Sequence, residues 1–81
     1  MSRSLRSPLH LSMMATLRRE RRRSALTQAE LAMRLRRPQS YVAKVETGER
    51  RLDVAEFVEY ARAMGLEPAG LLALILEGEH G

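Results

Sequence analysis

Residues 27–48 read TQAELAMRLRRPQSYVAKVETG. The stretch opens on a helix start. Thr27 stands three residues before Glu30, the spacing of a capping box, in which the hydroxyl and the carboxylate each accept from the other residue's backbone N–H. Leu26 ahead of the cap and Leu31 at the fourth helical position make a hydrophobic staple. Ala29, Ala32 and Leu35 continue the inner face. The pattern then breaks at Arg36-Arg37. Pro38 fits the first position of a second helix, where the missing N–H costs nothing. Val42 and Val45 point inward, and Gly48 supplies a left-handed stop. Helices of two turns are not stable alone, so the rest of the chain must bury them.

Working outward, helical signals punctuate both flanks. Upstream, a helix is expected from Leu9 to Arg23. Leu9, Met13, Met14 and Leu17 form its apolar stripe, and Arg18, Arg19, Arg22 and Arg23 stay outside it. Downstream, Asp53 and Glu56 form a second capping box. Val54, Phe57, Val58, Ala61 and Met64 then repeat at helical spacing, and Gly65 ends the helix. Pro68 opens a fifth helix through Leu76 whose apolar residues go nearly all round: Leu71, Leu72, Leu74, Ile75 and Leu76. A helix that apolar needs a cover beyond its own domain. The reading is all-α with five helices: residues 1–8 as a flexible basic arm, 9–76 as one folded domain, and 77–81 as a disordered tail.

Composition limits the alternatives. Eighty-one residues make at most one domain with a modest core, which gains from pairing. The absence of cysteine excludes disulfides and thiolate metal sites. No apolar run has the length of a membrane span, and the basic N-terminus is too interrupted for a secretory signal, so a cytoplasmic location is expected. His10 and His80 lack ligand spacing, and no nucleophile–base pair or phosphate-cradling loop is visible, so neither an enzyme nor a cofactor is expected. Charge is unevenly placed. Residues 1–52 carry thirteen cations against four carboxylates, net +9, and residues 53–81 carry one against six, net −5. All but one of the cations are arginine, which forks onto phosphates and base edges.

Two short helices joined by a tight turn describe a helix-turn-helix unit, whose second helix lies in the major groove of DNA. The stretch resembles the phage-repressor-like (Cro/C1, XRE-type) helix-turn-helix DNA-binding family. Its Thr-Gln-x-x-Leu-Ala signature stands at Thr27, Gln28, Leu31 and Ala32. Its aliphatic-Glu-x-Gly ending stands at Val45, Glu46 and Gly48, and its Ala-x-x-Leu/Met-Gly ending at Ala61, Met64 and Gly65. The resemblance covers about Leu17 to Leu72. It departs at the turn, where the family places Gly at the position of Arg36.

The resemblance implies roles. Gln39, Ser40, Tyr41 and Lys44 would meet base edges. Gln28, Arg37, Thr47, Arg50 and Arg51 would touch the DNA backbone, with Gln28 also bracing the first recognition residue. Arg21 and Glu46 would form a structural ion pair. Pairing of two copies through Leu71, Leu72, Leu74, Ile75 and Leu76 would present two recognition helices to one duplex. The function expected is a sequence-specific double-stranded DNA-binding transcriptional repressor acting as a homodimer on an inverted-repeat operator. The alternative is an antitoxin-type helix-turn-helix protein that also binds a protein partner.

Overall fold

Each of the five segments carries its own start and stop signals, and the computed structural model, which describes residues 7–80, has a helix on each: α1 (Pro8–Arg23), α2 (Gln28–Leu35), α3 (Gln39–Thr47), α4 (Val54–Ala63) and α5 (Pro68–His80). Both capping boxes form. Glu30 N donates to Thr27 Oγ1 at 3.0 Å and Thr27 N to Glu30 Oε1 at 2.8 Å. Asp53 and Glu56 do the same at the head of α4. Pro38 differs from its expected place: it is the N-cap of α3, in extended conformation, and the helix proper starts at Gln39. With no side-chain cap there, the first N–H groups of α3 are left to other partners.

The turn between α2 and α3 keeps the left-handed conformation without the glycine. Arg36 has φ 58°, a conformation that costs a non-glycine residue about 1–2 kcal/mol. The bonds Arg36 N to Met33 O (3.1 Å) and Arg37 N to Ala32 O (3.0 Å) close the turn and satisfy the last carbonyls of α2. Ala25, also left-handed at φ 60°, ends α1 in the same way.

The core gathers Leu17, Leu31, Val42, Tyr60, Leu71 and Ile75, all essentially inaccessible, with Ala32, Val45, Ala61 and Met64 between them. Fully burying one such aliphatic side chain contributes about 1.5–3 kcal/mol. Ala29, expected on the inner face of α2, is exposed, as is Val54 on α4. The largest departure is the rotation of α1. Of its expected stripe Leu17 is fully buried and Met13 packs against the core from the side, whereas Leu9 is exposed. The buried face instead holds His10, Ser12, Thr16, Leu17, Glu20 and Arg21. This polar face packs on α5, where Ser12 Oγ donates to Ile75 O at 2.6 Å. The helices approach so closely that a Cβ at Gly78 would collide with Ser12 Oγ.

That contact explains the C-terminal end. The disordered tail expected from residue 77 is helical through His80, because α5 lies along α1 past Leu76; Gly81 falls outside the described residues. The arm expected over residues 1–8 lies outside them up to residue 6. Ser7 and Pro8 are ordered, Ser7 capping α1 by accepting from His10 N at 3.1 Å. No helix among the described residues is long and apolar enough to cross a membrane.

Candidate nucleic-acid interface

A polar relay runs from α1 through α2 to the head of α3. Arg21 forks onto Glu46, Nε to Oε2 at 2.6 Å and Nη2 to Oε1 at 3.1 Å, and its Nη1 donates to Leu26 O at 2.8 Å. Both side chains are buried. Gln28 Nε2 donates to the same Glu46 Oε1 at 3.0 Å, and Gln28 Oε1 accepts from Gln39 Nε2 at 3.4 Å. Burial pulls the Glu46 carboxyl upward, but the bonds from Arg21 and Gln28 outweigh it and hold the group below the ordinary carboxylate range. The Arg21 guanidinium is raised by the same bond. The pair is therefore ionised, and it locks α1 against α3.

The relay ends in solvent. Gln39 and Ser40 in the first turn of α3, Lys44 one turn on and Thr47 at its end are all exposed. Gln39 spends one of two amide hydrogens on Gln28, so the other hydrogen and Oε1 stay available for a bidentate contact. Thr47 donates its hydroxyl to Lys44 O at 3.2 Å and must rotate to donate elsewhere. Arg18, outside the apolar stripe of α1 and not among the expected site residues, reaches within 4.0 Å of Glu46 and so borders this face beside Gln28. Its spacing of three from Arg21 on one helix was the available signal.

Tyr41 is not placed with the readers. It is 7% exposed, packs on Tyr60 with ring centroids 6.5 Å apart, and belongs to the core. A residue three before Lys44 and one before Val42 on so short a helix can face inward, and here it does. Its ring also carries two cations: the guanidinium carbons of Arg37 and Arg50 lie 4.6 and 4.7 Å from its centroid. Arg50 donates to both oxygens of Glu56, at 3.1 and 2.8 Å, and Arg37 Nη2 stands 3.7 Å from Glu56 Oε2. Arg50 foremost, with the backbone of Asp53 next, holds the Glu56 carboxyl down at about 2. Of the arginines expected on the DNA backbone, Arg37 and Arg50 are thus engaged within the protein, whereas Arg51 is exposed and makes no side-chain ion pair among the described residues.

The leucines of α5 separate into two groups. Leu71 and Ile75 are core and unavailable for pairing, a correction to the expected interface, and Leu74 is half-buried. Leu72 and Leu76 are exposed at 47% and 45%. Leu72 and Ile75 line an apolar groove of about 270 Å³ together with Leu9, Met13, Leu52 and Phe57.

The sequence profile of the helix-turn-helix domain family matches residues 13–74. Among solved structures, the chain is similar to an XRE-family like protein from Pseudomonas syringae pv. tomato strain DC3000, at 42% identity and TM-score 0.79, over 85% of this chain and 84% of that one. The chain belongs to the XRE-type helix-turn-helix DNA-binding family. Two structures of the clp gene regulator ClgR from Corynebacterium glutamicum are also similar to this XRE-type chain. One is 25% identical over 85% of this chain and 90% of that one, with TM-score 0.77. The other is 24% identical over 89% and 77%, with TM-score 0.81. No curated protein matches by sequence.

Proposed function

We propose that this protein regulates transcription by binding an inverted repeat in double-stranded DNA as a homodimer, and that it represses by occupying a promoter. The observation that carries the reading is the outward presentation of Gln39, Ser40 and Lys44 on the second helix of the helix-turn-helix unit, with Gln39 braced through Gln28 to a buried ion pair. A reading residue held by a fixed partner loses less entropy on meeting its base. Gln39 suits an adenine edge, Ser40 several bases, and Lys44 a guanine or a phosphate. Arg51, Arg18, Gln28 and Thr47 surround them and supply backbone affinity.

Pairing rests on the exposed apolar side chains of α5 and its neighbours. Leu72, Leu76 and Leu9 surround or continue the groove that Phe57 and Met13 line, and a second copy covers them. Two-fold symmetry then matches half-sites roughly 34–36 Å apart.

Selection of bound duplexes from a random pool tests the whole reading. The expected result is a palindrome with half-sites about one helical turn apart. Failure to retain any duplex at low ionic strength overturns DNA binding. Enrichment of a single unrepeated half-site, with monomers in sedimentation, overturns the homodimer alone.

A further inference from the structure

Resting on that DNA-binding reading, we propose that Glu56 is a resident competitor for DNA phosphate, which limits sequence-independent binding by holding Arg37 and Arg50 in the free protein. Three features carry this. The first is place: Arg37 lies in the turn that enters α3 and Arg50 in the loop that leaves it, so both belong to the segments flanking the recognition helix. The second is geometry. Arg50 meets Glu56 with two nitrogens on two oxygens, Arg37 reaches the same Oε2, and both guanidinium groups lie over the Tyr41 ring. A guanidinium fork fits carboxylate and phosphate alike, so a phosphate recruiting either arginine must displace Glu56. The third is exposure: the two arginine side chains remain 38% and 36% accessible, so a phosphate can reach them.

The consequence concerns affinity rather than discrimination. Base contacts by Gln39, Ser40 and Lys44 favour one sequence, whereas each added phosphate contact strengthens all sequences equally. An arginine held on Glu56 adds nothing to any sequence, so Glu56 limits the sequence-independent part of the affinity and its salt dependence. Tyr41 supports the arrangement by giving both cations a face to rest on while the residue itself is buried.

The test compares Glu56→Gln with the parent protein on a random-sequence duplex of about 20 bp, two helical turns, over a range of salt. Glutamine at this position still accepts the Asp53 N–H, so the cap survives and only the charge is lost. Each released arginine steepens the salt slope by about one unit and tightens random binding roughly three- to fivefold at low salt. Glu49→Gln is the charge-matched control: Glu49 is exposed, adjoins Arg50 and makes no side-chain bond among the described residues. Its slope should stay within about half a unit of the parent. Should Glu56→Gln fail to fold by circular dichroism, Glu56→Asp replaces it; the side chain shorter by one methylene draws the carboxylate back from Arg37 and Arg50, and a steeper slope is again expected. Arginine side-chain resonances of Arg37 and Arg50 that shift with added inorganic phosphate in the variant, but not in the parent, support the same conclusion. A parent-like slope in a folded Glu56 variant, or a Glu49→Gln slope equally steep, overturns the proposal while leaving DNA binding intact. A parent protein that binds no duplex overturns both.

Discussion

Glu46 and Glu56 both grip arginines beside the recognition helix, but one does so in the interior and the other at the rim. Glu46 is buried with Arg21, and both of its oxygens accept from Arg21 or Gln28. Glu56 is partly solvated, shares its oxygens with two arginines and a backbone N–H, and faces water on its open side. The same pair chemistry therefore has different consequences. An interior charge cannot lose its partner cheaply, so Arg21–Glu46 is a fixed joint between α1 and α3. A rim pair sits in high dielectric and exchanges partners readily, so the Arg37–Arg50–Glu56 cluster is suited to give way.

The sharpest way to break that contrast is to remove one interior partner. Glu46→Ala leaves Arg21 charged and unpaired, and unfolding by urea should show a loss of about 3–5 kcal/mol. Replacing both groups with apolar side chains, Arg21→Met with Glu46→Leu, should cost less than Glu46→Ala alone, because no stranded charge remains. A double replacement as damaging as the sum of the singles contradicts the account of a joint governed by burial. Next in size is a binding effect at the exposed end of the relay. Gln39→Ala should weaken cognate DNA by about 1–3 kcal/mol and blur preference at one base pair, read by quantitative gel retardation. Equal losses on cognate and random duplexes remove Gln39 from readout.

Acid compares the two carboxylates directly. Both are held below their unfolded value of 4.5, Glu56 at about 2. A depressed carboxyl contributes stability that is fully present above the unfolded value and disappears as pH falls through the folded one. Denaturant midpoints should hold near neutral pH and drop between about 4.5 and about 2. Burial, with help from Arg51, also lowers His10, whose Nε2 has no partner among the described residues, so a first and smaller loss should begin as pH falls below 6.5. His10→Gln should erase that first step and leave the second. The smallest effect is at the rim: Glu56→Gln should shift the neutral-pH midpoint much less than Glu46→Ala. A shift of equal size means that the rim cluster is a structural joint as well.

Much of the fold was legible because its signals are local. Thr27 with Glu30, Asp53 with Glu56, and Gly48 and Gly65 each act within one turn of chain, and each marks a helix end in the structure. What failed was facing. The stripe Leu9-Met13-Met14-Leu17 is the most apolar side of α1, yet α1 buries His10, Ser12, Thr16, Glu20 and Arg21, because Ser12 has a carbonyl partner on α5 and Arg21 a carboxylate on α3. Tyr41 failed for a related reason: an amphipathic ring suits either a groove or a core, and only Tyr60, Arg37 and Arg50 around it decide. Likewise Leu72→Glu and Ile75→Glu look equivalent in sequence. The structure separates them, since Leu72 is exposed and Ile75 is core.

Sequence alone determined most of the helix ends, though not the C-terminal end of α5, together with the helix-turn-helix order and the basic half of the chain, because capping, turn conformation and charge depend on residues within a few positions of one another. Tertiary structure alone decided which face of α1 is buried, which leucines of α5 remain outside, and which arginines are already held by a carboxylate. Those outcomes depend on partners 25 positions away for Arg21 and Glu46 and 63 for Ser12 and Ile75, and no local pattern records where a folded chain brings such partners together.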